Sequence, residues 1–146
     1  MAHPGKRIHI LLVEDNPGDI RLTREAFSQT RTPIDLRVAT DGVEALDFLR
    51  GAGQFRSAPR PDLILLDLNL PRKNGREVLA EIKQDQTLRR IPVVVLTTST
   101  AEEDILGAYD LHANSYITKP VDLGQFDEIV QTIERFWLSI ARLPSG

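Results

Sequence analysis

The sequence predicts an α/β domain of five successive βα units, (βα)5, on a mainly parallel sheet. Three observations carry this reading: five short apolar runs, segments of helical spacing between them, and a capping signal ahead of each such segment. Two of the runs, DLILLD and PVVVL, are continuously apolar rather than alternating, as expected of strands covered on both faces.

The first strand is HILLV (9–13). Asn16 followed by Pro17 reads as N-cap and first helical residue with Asp19 at N3, opening a helix whose inward face holds Ile20, Ala26 and Phe27. IDLRVA (34–39) is the second strand. Asp41 and Glu44, at capping-box spacing, then start a helix marked by Val43, Leu46 and Leu49. GAGQFRSAPRP (51–61) is too long for a tight turn and leads to the third strand, DLILLD (62–67). Asn74 and Glu77 cap a third helix with Val78, Leu79 and Ile82 inward. PVVVL (92–96) is the fourth strand, Thr100 with Glu103 caps a helix carrying Ile105, Ala108 and Leu111, and SYIT (115–118) is the fifth strand. Asp122 with Gln125 opens the last helix, where Phe126, Ile129, Val130, Ile133, Trp137, Ile140 and Ala141 keep helical spacing for about four turns. That is longer than a sheet-covering helix needs.

With 146 residues the chain is expected to form one domain over 1–146, its core at about 7–133 and an extended C-terminal helix reaching about 142. A formal charge of −3 offers no field to attract nucleic acid or an anionic membrane, and no apolar run approaches the roughly 20 residues that span a bilayer. There is no cysteine, which excludes disulfides and thiolate metal sites, and the N-terminal MAHPGKR lacks the apolar stretch of a signal peptide. A cytoplasmic protein is expected.

Open parallel sheets bind ligands beyond the carboxyl ends of their strands. There the first strand ends in Glu14 and Asp15, the third in Asp67 with Asn69 two residues on, the fourth in Thr97, Thr98 and Ser99, and the fifth in Lys119. Carboxylates brought together repel unless positive charge sits among them, and a hard divalent cation plus a lysine supply it. Mg2+, or Mn2+ in its place, takes one or two carboxylates and further oxygens, so Asp15, Asp67 and a backbone carbonyl just after Asp67 form a reasonable donor set. A carboxylate also serves as nucleophile toward a phosphoryl group, a role that falls to Asp67, with Lys119 and the Thr97 hydroxyl stabilising the phosphoryl oxygens.

At these residues the chain resembles the receiver domain of two-component response regulators. The likeness runs from ILLVEDN (10–16) through LILLDLNLPRKNG (63–75) and VVVLTTS (93–99) to YITKP (116–120), with Pro71 four residues and Gly75 eight residues after Asp67. It implies the flavodoxin-like, CheY-like strand order 2-1-3-4-5 and phosphorylation by a sensor histidine kinase. It further implies Asp67 as phosphoacceptor, Glu14 and Asp15 as the acidic pair, and Asn69 as the residue offering its carbonyl to the metal. Thr97 and Tyr116 become the switch pair, Lys119 the family's lysine, and Asn69 and Ser99 the positions that tune dephosphorylation. The only catalysis implied is on itself. A narrower likeness, to stand-alone receivers serving bacterial and cyanobacterial phytochromes, rests on the long loop and the tail ERFWLSIARLP (134–144). Output then runs through contact with a downstream protein, and Phe136, Trp137, Ile140 and Leu143 are expected to form a homodimer interface.

Two other classes compete. A haloacid-dehalogenase-type phosphatase needs a second acid two residues after its nucleophile, where this chain has Asn69; a pseudo-receiver regulated without phosphorylation would not need the full acidic, hydroxyl and lysine set. His3, His9 and His112 lack ligand spacing, and Arg56, Arg60, Arg72 and Arg76 read as a solvated charged face.

Overall fold

The computed structural model describes residues 7–29, 33–97 and 115–118, together with Gly124 and Gln131; Thr97 and residues 115–118 are described as backbone. Five strands, β1 (Ile8–Val13), β2 (Ile34–Ala39), β3 (Leu63–Asp67), β4 (Val93–Thr97) and β5 (Ser115–Thr118), form one parallel sheet in the order β2-β1-β3-β4-β5. Three helices are described: α1 (Pro17–Ser28), α2 (Gly42–Arg50) and α3 (Gly75–Gln84). The helices expected from the caps at Thr100 and Asp122 lie outside the described residues, except that Gly124 and Gln131 are helical.

The caps form as their spacing requires. Asn16 accepts the Asp19 N–H at 3.0 Å, and Asn74 with Glu77 makes a reciprocal capping box. At α2 only half of the box closes: Asp41 accepts the Glu44 N–H at 2.7 Å, while the Glu44 carboxylate reaches back to the N–H of Thr40 rather than of Asp41.

Strand parity divides the core into two layers. Leu11, Val13, Ile64, Leu66, Val93 and Val95 face α2 and α3, where Ala45, Leu46, Val78, Leu79 and Ile82 close over them. The alternate residues, Ile8, Ile10, Leu12, Leu63, Leu65 and Leu96, pack with Ala26 and Phe27 of α1. Both faces of each central strand are therefore buried, which explains the uninterrupted apolar runs. On α2 the inward face is centred on Ala45, Leu46 and Phe48, with Val43 and Leu49 only partly covered.

The long connection 51–61 is ordered by its own contacts. A 3-10 turn over Gly53–Phe55 sets the Phe55 ring 5.4 Å from that of Phe48, and the Arg60 guanidinium donates to the Thr87 carbonyl at 2.5 Å. Arg56, Arg60 and Arg72 are exposed, as expected of solvated charges, while Arg76 is partly buried. Arg60 precedes β3 and Arg72 follows it, so the length of the strand separates them, and Arg72 pairs with Asp41. His9 is structural, its Nδ1 lying 3.1 Å from Asp35 at the amino-terminal part of the sheet.

Candidate functional site

Parallel register builds the site before any side chain is considered. Leu12 lies beside Leu65 and Val13 beside Leu66, so the next residues along, Glu14 and Asp67, are neighbours at the carboxyl end of the sheet. Leu12 and Leu65 both point toward α1, and Glu14 and Asp67 share their parity. Asp15 follows where the chain leaves the sheet for the α1 cap. Oxygens of Glu14, Asp15 and Asp67 all lie within 4.8 Å of one another. Glu14 is 1% exposed and Asp67 4%, whereas Asp15 is open to solvent.

Backbone amides orient two of these groups. Asp67 Oδ1 accepts the Asn69 N–H at 3.0 Å, and Glu14 Oε2 accepts the Asn16 N–H at 3.2 Å. Two buried carboxylates beside an exposed third form a hard, oxygen-only donor set with one side open to solvent. That chemistry suits a divalent cation which keeps part of its water, and it matches Mg2+ or Mn2+ rather than a thiolate-loving metal.

β4 completes the rim. Asp67 pairs with Leu96, and the Leu68 N–H donates to the Leu96 carbonyl at 3.1 Å, so Thr97 stands one residue further toward the rim beside the end of β3. Thr97 pairs in turn with Thr118, which places position 119 directly after the last paired residue of β5. Tyr116 pairs with Val95, two residues in from that end. Lys119, Thr98 and Ser99 lie outside the described residues, as do Phe136, Trp137, Ile140 and Leu143.

The response regulator receiver domain family matches residues 10–132. This chain belongs to that family. The response regulator Rcp1 of Synechocystis sp. is 52% identical over 137 residues, which cover 94% of this chain and 93% of the relative. The crystal structure of the phosphorylated cyanobacterial phytochrome response regulator RcpA has a TM-score of 0.84 to it at 58% identity, covering 96% of this chain and 100% of the other. The Mn2+-bound form of Rcp1 is similar at TM-score 0.81 and 51% identity, covering 94% and 99%. The CheY-like fold, the receiver family and the likeness to phytochrome response regulators thus agree with the residue-level reading. A relative solved with Mn2+ accords with the acidic cluster's fitness for a divalent cation. Among the described residues no helix is long and apolar enough to cross a membrane.

Two features of the site escaped the sequence reading. Gly42 and Gly75 lie against the β3–α3 loop so closely that a Cβ on Gly42 would sit 2.0 Å from the Lys73 carbonyl oxygen, and one on Gly75 2.3 Å from that of Asp67. In the sequence Gly75 stands out only as part of a spacing, and the signal at Gly42 is a glycine at the first helical position, where most residues fit. Glu81 was likewise missed. It receives both Lys73 of the β3–α3 loop and Arg50 of α2, the latter at 3.1 Å, and the Lys73 hydrogen bond holds its carboxyl below the usual range.

Proposed function

We propose that this receiver takes a phosphoryl group on Asp67 from the phosphohistidine of a sensor histidine kinase and signals through its altered protein-contact surface. The observation that carries the proposal is the convergence of Glu14, Asp15 and Asp67 at one strand rim, with the ends of β4 and β5 beside them. The Asp67 carboxylate attacks phosphorus, a P–O bond forms as the donor's P–N bond breaks, and the imidazole leaves as a neutral ring after taking up a proton. Asn69, through its N–H, holds the attacking carboxylate in one orientation. Glu14, Asp15, Asp67 and the Asn69 carbonyl would hold Mg2+ or Mn2+, which when bound neutralises the acids and the phosphoryl oxygens. Lys119 and Thr97 pair with those oxygens, Thr97 and Tyr116 form the switch, and Asn69 and Ser99 set the rate at which water removes the group.

Similarity to the cyanobacterial phytochrome response regulator RcpA supports a phytochrome-type kinase as donor, the lack of an apolar signal-peptide stretch supports a cytoplasmic location, and the apolar positions Phe136, Trp137, Ile140 and Leu143 support a homodimer. Phosphotransfer profiling against the histidine kinases of the source cell tests the donor; sedimentation with and without an acyl-phosphate mimic tests the dimer. For the central claim, incubation with acetyl phosphate and Mg2+ followed by intact mass should show the gain of one phosphoryl group. Asp67→Asn should abolish it. Retained phosphorylation in that variant, or none in the wild type, overturns the assignment.

A further inference from the structure

Resting on the reading of the acidic rim just given, we infer that Gly42, which lies against the β3–α3 loop at Lys73, is a positioning residue for the metal site. It is the stop on which the loop carrying Asn69 rests. Gly42 is the first residue of α2 and packs against the backbone of Lys73. A Cβ at Gly42 would lie 2.0 Å from the Lys73 carbonyl oxygen, 2.8 Å from its carbonyl carbon and 2.8 Å from its Cβ. Backbone cannot swing aside as a side-chain tip does, so any larger residue lifts the loop.

The same loop is fastened on both sides of that contact. Arg72 pairs with Asp41, the α2 N-cap, at 3.4 Å, and Lys73 pairs with Glu81 of α3, which also receives Arg50 of α2. Arg72 has φ 66°, a left-handed backbone that a non-glycine residue adopts at a cost and keeps only where its surroundings hold it. Gly75 ties the two ends of the loop together, since its N–H donates to the Leu68 carbonyl at 3.0 Å and it closes directly on Asp67. Residues 68–74 are thus a short span fixed at both ends, with Asn69 inside it. Displacement at Lys73 has little slack to absorb it before it reaches the Asn69 carbonyl and the N–H that orients Asp67.

The test compares Mn2+ affinity, read from the EPR signal of free Mn2+, in wild type, Gly42→Ala and Ile82→Val. Ile82→Val serves as a stability control, since it loosens the α3 core without touching the loop. Gly42→Ala should weaken Mn2+ binding about tenfold, as loss of an outer-sphere support does. It should also shift the Asn69 and Asp67 amide resonances. Ile82→Val should lower Tm and leave affinity unchanged. Should Gly42→Ala fail to fold, Asp41→Asn keeps the cap and removes the charge facing Arg72, and about a two- to threefold loss is expected. A folded Gly42→Ala with wild-type affinity and unshifted Asn69, or a wild-type Asp41→Asn where that variant decides, overturns the inference. A wild-type chain that binds no Mn2+ overturns the reading of the rim itself, and the inference with it.

Discussion

Arg72 shows what a single residue contributes that spacing does not reveal. Its left-handed φ of 66° disfavours any side chain, while its guanidinium gains an exposed pair with Asp41. Replacing it by alanine and by glycine removes the pair equally but differs in the backbone term. Arg72→Gly should therefore be more stable than Arg72→Ala by about 1 kcal/mol in urea unfolding. Equal stabilities would show that the loop relaxes to another conformation. At this scale the sequence was legible where chemistry announces itself: Asp67, Glu14 and Asp15 are charges at the ends of apolar strands, and burial makes such charges conspicuous. Gly42 and Arg72 were illegible because their constraint is a backbone approach and a backbone dihedral between segments about thirty residues apart.

Elements were the most readable level, because caps and periodicity are local. Asn16, Asp41 and Asn74 each accept the N–H three residues on, as their spacing implied. Asn74→Ala should cost about 1 kcal/mol, measured by urea titration, because it removes both halves of the α3 box. The clamp between α2 and α3 was not readable, since Arg50, Lys73 and Glu81 meet only once the fold is built. Its titration gives a sign. Hydrogen bonding by Lys73, then by Arg50 and with both charges adding, outweighs burial and holds the Glu81 carboxyl below its ordinary 4.5. The unfolded chain therefore takes up that proton first. The stabilisation is complete above that ordinary value and is lost as pH falls through the depressed one. The stability gap between wild type and Glu81→Gln should be about 0.5–1 kcal/mol at neutral pH, discounted for solvent screening, and should close as pH falls through the depressed value. A gap independent of pH would remove the clamp's electrostatic basis.

The whole molecule sets a full apolar core against a charged rim. Register alone brings Glu14 beside Asp67, so the strand order that buries Leu12 and Leu65 also forces two acids together at the edge, with Asp15 added by the turn. The order 2-1-3-4-5 was not derivable from periodicity, which is blind to neighbours; it came from likeness to receivers, and the pairings bear it out. Crowded like charges destabilise the metal-free fold, and a cation that binds only the folded rim reverses this. With Mg2+ at a hundred times its Kd, stability should rise by about 2.7 kcal/mol, or about 5–10 °C in Tm. Asp15→Asn removes the exposed member of the cluster without opening the core. In EDTA it should be more stable than wild type by about 0.5–1 kcal/mol, and it should lose most of the Mg2+-dependent increment. Calorimetry with and without Mg2+ decides the matter, because a merely structural Asp15 would give the opposite order in EDTA and leave the Mg2+ increment intact.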